Sequence, residues 1–311
     1  MITKPGTLAI SIPLFGWLNP KHWPLALGLG LLKFGAFLPL SWSQRLGRGL
    51  GLLAYAVLPS RRRIVARNLQ LCFPQWSAKK CNEMVRANFK ASGMGLIEGG
   101  IAWWAPTRIL QGFTYVEGME HYEAARKAGR GVLVLGAHFT AMELAGRIAA
   151  MHFPVSTVYK PAKNQQFNSV MLTKRSQYFQ SLIANDNLRG MLQVLNSGGV
   201  CWYGVDQDFG VGQGVFAPFF GVPTATLTLA SKIVQRTGAK VLFGYPQRLP
   251  NAQGYVLHIL PVEDFATGDM LHDATTYNRM IENSVIEAPE DYFWLHRRFK
   301  TRPEGEANPY D

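Results

Sequence analysis

Residues 131–146 of the 311-residue chain read GVLVLGAHFTAMELAG. The part from Gly131 to Ala137 is a short, continuous apolar run that is typical of a buried strand, and a helical pattern begins directly after His138. A strand that passes into a helix is the repeating unit of α/β folds. This stretch therefore predicts a sheet packed against helices, with a histidine at the point where one strand ends.

The same alternation continues on both sides of this stretch. Further β-rich runs lie at 155–159, 200–205, 240–246 and 255–260. Helical patterns lie at 120–128, 141–151, 168–183, 188–195, 224–235 and 273–288, and an amphipathic helix at 77–104 precedes them. Alternation of this kind predicts one α/β sandwich domain over residues 77–311, with a mixed or partly parallel sheet flanked by helices.

The N-terminal part of the chain differs from the rest in charge. The first 82 residues contain 11 of the 32 Lys and Arg residues and no Asp or Glu, so most of the net charge of +12 lies at this end. A nucleic-acid-binding protein would spread its basic residues through the folded domain. Confinement to one end instead favours contact with an anionic membrane surface and argues against nucleic acid as a partner.

The same region contains the longest apolar run. Residues 23–40 carry one charge, Lys33, and as a helix would be about 27 Å long, close to the roughly 30 Å of a bilayer core. We therefore expect residues 1–76 to be a membrane-associating segment, with an apolar helix at about 23–40 and a basic flank. The helix could span the bilayer or form a shallow hairpin, and a buried core helix is the third alternative.

The basic residues after the apolar run indicate its orientation. Arg45, Arg48 and the run Arg61–Arg63 follow it, and cytoplasmic flanks of membrane segments are enriched in such residues. The sequence thus predicts a single-pass or monotopic protein whose α/β domain is cytoplasmic. More than twenty residues precede the apolar run and no small-residue cleavage site follows it, so we do not expect a cleaved signal peptide.

The three cysteines, Cys72, Cys81 and Cys201, suggest neither a disulfide framework nor a zinc site. Their number is odd and no CxxC pair occurs, which indicates a reducing compartment. None has a His beside it in sequence, so a covalent acyl-cysteine intermediate has little support.

His138 and Glu143 are the candidate catalytic pair. If His138 precedes the helix and Glu143 lies within it, the two side chains can meet, and the carboxylate would fix the tautomer of an imidazole that acts as a general base. A satisfied histidine at a strand end is the alternative interpretation. His258 and Glu263 have the same spacing, but Pro261 separates them and His258 lies in a predicted strand, so we interpret that pair as structural.

Polar residues follow other predicted strands. Asp206 directly follows the run VCWYGV at 200–205. The carboxyl ends of strands form the usual ligand crevice of α/β sheets. Arg175 lies on the helix after the strand that ends at Tyr159–Lys160 and could orient a phosphate or carboxylate. A turn-capping Asp and a solvated helix face are the alternatives. The segment 210–223, which begins with the glycines Gly210, Gly212 and Gly214, is predicted to be a mobile loop. The basic tail 297–302 is predicted to bind phosphates or an acidic partner, or to be solvated.

At several separate motifs the chain resembles the late lipid A acyltransferase family, in particular its lauroyltransferase branch. The motifs are GAHFTAME at 136–143, VYKP at 158–161, VDQDFG at 205–210, VFAPFFGVPTAT at 215–226 and APEDYFWLHRRFKTRPEG at 288–305. With the apolar N-terminal segment, they cover nearly the whole chain. The resemblance implies transfer of a fatty acyl chain from acyl carrier protein to a hydroxyl of a Kdo-bearing, tetra-acylated lipid A precursor, in lipopolysaccharide biosynthesis at the cytoplasmic face of the inner membrane.

The resemblance also implies roles for individual residues. His138 and Glu143 match the HxxxxE catalytic motif of the family, and Arg175 and Asp206 match positions associated with its active site. Lys160 departs from the family pattern, in which an Arg commonly occupies the Tyr-Arg-Pro triplet, and a Lys loses the bidentate geometry of a guanidinium.

We therefore expect His138 to deprotonate the acceptor hydroxyl, Glu143 to hold the imidazole, and Arg175 and Asp206 to position the acceptor. The expected partners are acyl carrier protein, a phosphorylated glycolipid and the membrane. Neither a metal nor a cofactor is required, because the carrier thioester is the acyl donor. A membrane-bound acyl-thioester hydrolase and a non-catalytic lipid-binding protein are the alternative functions.

Overall fold

The structure is a computed structural model that describes residues 2–3, 19–210 and 212–311. Residues 1 and 4–18 of the expected membrane-associating segment, and Val211 of the expected loop, lie outside the described residues. The helices are α1 Trp23–Ala36, α2 Leu40–Val57, α3 Pro59–Cys72, α4 Ala78–Trp104, α5 Thr107–Leu110, α6 Met119–Lys127, α7 Met142–His152, α8 Gln165–Arg175, α9 Leu188–Asn196, α10 Leu229–Thr237 and α11 Met270–Glu287.

The strands form one large mixed sheet and a separate hairpin. The strands are β1 Ile2–Thr3, β2 Thr114–Glu117, β3 Val132–Gly136, β4 Ser156–Tyr159, β5 Ser181–Ala184, β6 Val200–Gly204, β7 Gly214–Phe219, β8 Val222–Leu227, β9 Lys240–Leu249 and β10 Gly254–Pro261. The order in the large sheet is β1-β5-β4-β6-β3-β9-β10-β2, and β7 pairs with β8. From β5 to β9 every neighbouring pair is parallel. The predicted mixed sheet flanked by helices is confirmed.

Helices cover both faces of the sheet. Because side chains alternate along a strand, Leu133 and Leu135 of β3 point to one face and Val132 and Val134 to the other. The first face packs against α3, α9, α10 and α11 and the second against α1, α6, α7 and α8. The long helix α4 contributes to both. Helices on either side of residue 76 therefore share the same two hydrophobic cores.

The apolar helix expected at 23–40 is shorter in the structure. Helix α1 ends at Ala36 and α2 begins at Leu40, because Pro39 interrupts the helical hydrogen bonding and restricts the residue before it. The fourteen residues of α1 extend about 21 Å, against about 30 Å for a bilayer core. Among the described helices, none combines the length and the apolar character of a membrane span, so the expected transmembrane helix is not found there.

Three further predictions are wrong in detail. Residues 181–183, predicted as the end of the helix at 168–183, belong to β5, since so short a run cannot be assigned by periodicity alone. Residues 224–227, predicted as the start of the helix at 224–235, belong to β8. Part of the predicted loop after Gly210 is β7, and its hairpin turn places Phe220 and Gly221 in the left-handed region, as tight hairpin turns require.

Candidate active site

His138 and Asp206 meet because two parallel strands are in register. Strands β3 and β6 are neighbours, and their last residues, Gly136 and Gly204, lie opposite each other. Each functional side chain comes two residues after its glycine. Since parallel strands end at the same edge of a sheet, equal offsets from paired residues bring the two side chains together.

The imidazole of His138 is held by the carboxylate of Asp206. His138 Nδ1 lies 2.5 Å from Asp206 Oδ1, and the backbone N–H of His138 donates to Oδ2 at 2.9 Å. The Tyr292 hydroxyl donates to the same Oδ2 at 3.0 Å. The Asp206 side chain is 1% exposed, whereas that of His138 is 26% exposed. The pairing on Nδ1 leaves Nε2 as the ring nitrogen available to a substrate.

The contacts shift the pKa of both groups. Burial acts to lower the pKa of His138, but the charge and the hydrogen bond of Asp206 outweigh it, so the pKa is raised. Burial acts in the opposite sense on Asp206, and its contacts with His138 overcome it, so the pKa of Asp206 is lowered to about 2. Asp206 is therefore an anion at neutral pH, and His138 is a stronger base than an ordinary histidine.

Glu143 does not occupy the place expected for it beside His138. Its carboxylate accepts hydrogen bonds from Trp103 Nε1 at 2.6 Å, from Arg175 Nε at 2.9 Å and from the Tyr178 hydroxyl at 3.1 Å, and a second guanidinium nitrogen of Arg175 also bonds to it. The expected pairing of His138 with Glu143 is thus corrected to a pairing with Asp206. The physical reason is that the strand register delivers Asp206 to Nδ1, while Glu143 pairs with Arg175.

The Glu143–Arg175 pair is a nearly buried, bidentate ion pair. Burial acts to raise the pKa of Glu143, but the charge and hydrogen bonds of Arg175, together with those of Trp103 and Tyr178, lower it. The same contact raises the pKa of Arg175 against the effect of burial. Both groups remain charged and fixed in orientation, and both line the cavity that begins at His138.

That cavity is apolar and lies between α7, α8 and the sheet. Its volume is about 220 Å³, and His138, Glu143 and Arg175 lie among its lining residues. On α7 it is lined by Ala145, Gly146 and Ala149, whose small side chains at helical spacing leave the space open. The apolar lining also includes Val134, Phe153, Val155, Met171, Phe179, Leu257 and Ile259. The cavity can hold a hydrocarbon chain that ends at His138.

The C-terminal segment fixes the catalytic loop from the other side. The Asn88 side chain donates to the carbonyls of Glu290 and Tyr292, both at 2.7 Å. The Phe293 N–H donates to the His138 carbonyl at 2.9 Å, and the Thr140 N–H to the Asp291 carbonyl at 2.7 Å. The segment 289–294 is thereby attached both to α4 and to the loop after β3, which places Tyr292 against Asp206.

Sequence reasoning missed Tyr292, Trp103 and Tyr178 as parts of the site. The string EDYFW at 290–294 offered a signal for Tyr292, because aromatic residues directly before the basic tail suggest that this segment is packed rather than solvated. Arg298 of that tail is 2% exposed and donates to the Ala225 carbonyl at 2.8 Å, so it is a buried structural residue rather than a phosphate ligand or a solvated one. The interpretation of His258 as structural agrees with its contacts, since its Nε2 lies 2.8 Å from Gln247 Oε1.

The cysteines are buried and free. Burial raises the pKa of Cys72, Cys81 and Cys201, the last to about 12, which disfavours the thiolate that nucleophilic catalysis needs. Among the described residues, no three His, Cys, Asp or Glu side chains are grouped closely enough to hold a metal ion.

Comparisons with known proteins identify the family of this chain. The model of the bacterial lipid A biosynthesis acyltransferase family matches residues 16–301. The lipid A biosynthesis lauroyltransferase of Escherichia coli K12 is 40% identical over 298 residues, covering 94% of this chain and 96% of that protein. The palmitoleoyltransferase of the same strain is 37% identical with the same coverage, and its myristoyltransferase is 26% identical, covering 94% and 91%. The chain therefore belongs to the bacterial lipid A biosynthesis acyltransferases and is an acyltransferase.

Proposed function

We propose that the protein transfers a lauroyl chain from acyl carrier protein to a hydroxyl of a Kdo-bearing, tetra-acylated lipid A precursor. The observation that carries this proposal is the His138–Asp206 pair at the mouth of an apolar cavity. A base beside an apolar site for the hydrocarbon chain is what acyl transfer to a hydroxyl requires. The preference for lauroyl rests on the higher identity to the lauroyltransferase than to the myristoyltransferase.

In this reaction the acceptor hydroxyl attacks the carbonyl carbon of the thioester. Nε2 of His138 takes the hydroxyl proton as the new C–O bond forms, and Asp206 stabilises the resulting imidazolium. The tetrahedral intermediate then breaks its C–S bond, and the imidazolium returns the proton to the leaving thiolate. The protein ends the cycle in its starting protonation state, with an ester and a free carrier thiol as products.

Arg175 acts on the acyl donor in this proposal. Its guanidinium lines the apolar cavity between α7, α8 and the sheet, which we call the acyl cavity, and is oriented by Glu143. It therefore lies on the side of the site that receives the thioester. A fixed positive charge beside a thioester stabilises the negative charge that develops on the carbonyl oxygen. The cavity lining therefore favours a role in donor chemistry over the acceptor-positioning role inferred from its place in the sequence, and it gives Glu143 the task of orienting Arg175.

The protein also binds the membrane surface, through a face formed by α1 and α2. On α1, Trp23, Leu27 and Phe34 are 57%, 74% and 62% exposed, and their helical spacing puts them on one side. Trp42 and Leu53 of α2 are similarly exposed. A large exposed apolar surface next to a region rich in Lys and Arg fits an anionic bilayer, with the apolar side chains inserted at the interface.

Two experiments test these proposals. The first is mass spectrometry of the lipid formed from a mixture of carrier proteins that bear lauroyl, myristoyl and palmitoleoyl chains. We expect lauroylated product, and free fatty acid without acylated lipid would instead favour the hydrolase.

The second experiment is flotation of the full chain with anionic vesicles in high salt. We expect Leu27→Asp/Phe34→Asp to lose binding, whereas extraction of the unaltered protein by salt alone would contradict apolar insertion.

A further inference from the structure

A second cavity also borders His138. Its volume is about 470 Å³, it is more open than the acyl cavity, and we call it the edge groove because it runs along the carboxyl edge of the sheet. Residues that follow three parallel strands line it, namely Lys160 after β4, Asn185 and Asp186 after β5, and Gln207 after β6. Thr228, Leu229 and Lys232 at the start of α10 complete its far end.

Trp202 lies where the edge groove and the acyl cavity meet. It lines both cavities, as do His138 and Lys160. The indole packs across the glycines that end β3 and β6, since a Cβ at Gly136 would lie 2.2 Å from its Nε1 and a Cβ at Gly204 would lie 2.9 Å from its ring. The two cavities are therefore neighbours at His138 and Trp202, and a chain that fills the acyl cavity can continue from there into the groove.

The edge groove leads away from the membrane-binding face. Helix α1 packs on the sheet face that carries Val132 and Val134, whereas α9 and α10 pack on the opposite face. The groove borders His138, and it is also lined by Asn185 and Asp186 just before α9 and by Leu229 and Lys232 in the first turn of α10. A substrate that stays in the bilayer must approach from the α1 side, and one that arrives from solution can enter at the α9–α10 end.

The exposed surface of α9 and α10 beside the groove carries positive charge, with Lys232 lining the groove and Arg236 in the last turn of α10. Lys232 and Arg236 lie four residues apart on α10 and so share one face, and Arg189 lies in the first turn of α9, which packs against α10. All three are exposed. Asp186, which lines the groove, carries a negative charge in this otherwise basic region. Within the described part of the chain none of the three basic side chains makes an ion pair, so their charge is available to an acidic partner.

We propose that the edge groove holds the phosphopantetheine arm of the acyl donor, and that Arg189, Lys232 and Arg236 bind the acidic carrier protein. This inference rests on the proposed function, because it assigns one substrate of that reaction to a site. The arm is a slender chain with two amides and one phosphate. The groove offers amide side chains at Asn185 and Gln207 and apolar contacts at Leu229, and Lys232 lies near its outer end, where the phosphate would be.

The test measures donor and acceptor kinetics with charge-reversed variants. The doubly substituted Arg189→Glu/Arg236→Glu protein should raise the KM for lauroyl-acyl carrier protein by about tenfold or more at low salt, through lost electrostatic attraction. Its KM for the lipid acceptor, and its kcat/KM with protein-free lauroyl-pantetheine, should not change. The matched control is Arg108→Glu/Lys127→Glu, which alters the same number of exposed charges on α5 and α6, and it should leave all three values unchanged.

A steric variant tests the groove itself. Leu229→Trp should reduce kcat/KM by about tenfold with lauroyl-pantetheine, but much less with the short lauroyl thioester of N-acetylcysteamine, which does not reach the far end. A rise in the KM for the lipid acceptor, in Leu229→Trp or in Arg189→Glu/Arg236→Glu, would overturn the assignment. An unchanged KM for lauroyl-acyl carrier protein in Arg189→Glu/Arg236→Glu would also overturn it. Failure of the proposed function is distinguishable, because the unaltered protein would then transfer lauroyl from none of the three donors.

Discussion

His138 Nδ1 lies 2.5 Å from Asp206 Oδ1, although 68 residues separate the two along the chain. The contact follows from the register of β3 and β6, which pairs Gly136 with Gly204 and leaves each functional side chain two residues beyond its strand. A histidine held in this way by a buried carboxylate is fixed in tautomer and orientation before any substrate binds. The arrangement makes Asp206 the residue that supports the base, although Glu143 is nearer to His138 in the sequence.

Substitution of Asp206 should therefore be nearly as damaging as loss of the base. We expect Asp206→Asn to fold but to lose roughly 1,000-fold in acyl transfer, because an amide that donates to Nδ1 puts the imidazole proton on Nε2, where the base must be free. His138→Ala should lose at least about 100-fold. Product formation and circular dichroism of the same preparations measure both properties. Transfer within a few-fold of the unaltered protein in either variant would contradict the proposed base.

Arg175 and Glu143 should act on the donor half of the reaction. Arg175→Ala should reduce transfer by about 100-fold, and hydrolysis of lauroyl-acyl carrier protein without acceptor by a similar factor, because both reactions place negative charge on the same carbonyl oxygen. Glu143→Gln should reduce both in parallel but by less. The measurement compares the two rates in one preparation. A loss confined to transfer would return Arg175 to acceptor positioning.

The small residues of α7 should set the length of the transferred chain. Ala149 lines the acyl cavity, so Ala149→Leu reduces the space for the far end of a hydrocarbon. Each methylene in an apolar site is worth about 1–3 kcal/mol of discrimination. We expect the variant to prefer chains shorter than those of the unaltered protein, when carrier proteins with different chains compete. The exposed α6 variant Glu123→Leu is the control, and an unchanged preference for Ala149→Leu would place the chain elsewhere.

Arg248 should be essential for stability rather than for chemistry. It is buried between Glu98, whose Oε2 lies 2.7 Å from one guanidinium nitrogen, and Asp291. Arg248→Met leaves two carboxylates buried without a counter-charge, which should cost about 3–5 kcal/mol of unfolding free energy. Denaturant titration measures the change, with exposed Arg108→Met expected within about 0.5 kcal/mol of the unaltered protein. A loss below about 1 kcal/mol would show that the ion pairs are not needed.

Patterns within one segment proved easier to predict than contacts between segments. The apolar run before His138 and the helix after it could be predicted, because each depends on the hydrophobic spacing of its own residues. Helix α4 was likewise predicted from its pattern, and the Ser77 side chain caps it by accepting from the Lys80 N–H. Residues 181–183 were wrongly assigned to a helix, since the three apolar residues after Ser181 fit a strand and a helix equally well.

The partner of His138 depended on information that lies outside its own segment. Spacing alone suggested Glu143, but the order of the strands in the sheet decides which residue reaches Nδ1 of His138. The pairing of β3 with β6 and the register between them cannot be predicted from the periodicity of either strand. Tyr292 lies still further along the chain. It reaches Asp206 because Asn88 of α4 binds the backbone around it, which is a tertiary contact with no local pattern.

The pH dependence of kcat/KM in Asp206→Asn and Glu143→Gln tests the central claim most directly. Asp206 raises the pKa of His138 against the effects of burial and of Arg298, and His138 must be neutral to act as a base. Removal of the Asp206 carboxylate lowers the pKa of His138, so the acidic limb of the pH profile of kcat/KM should move to lower pH in Asp206→Asn. The same limb should stay in place in Glu143→Gln. A limb that shifts in Glu143→Gln and not in Asp206→Asn would show that Glu143 supports the base, and would contradict the account.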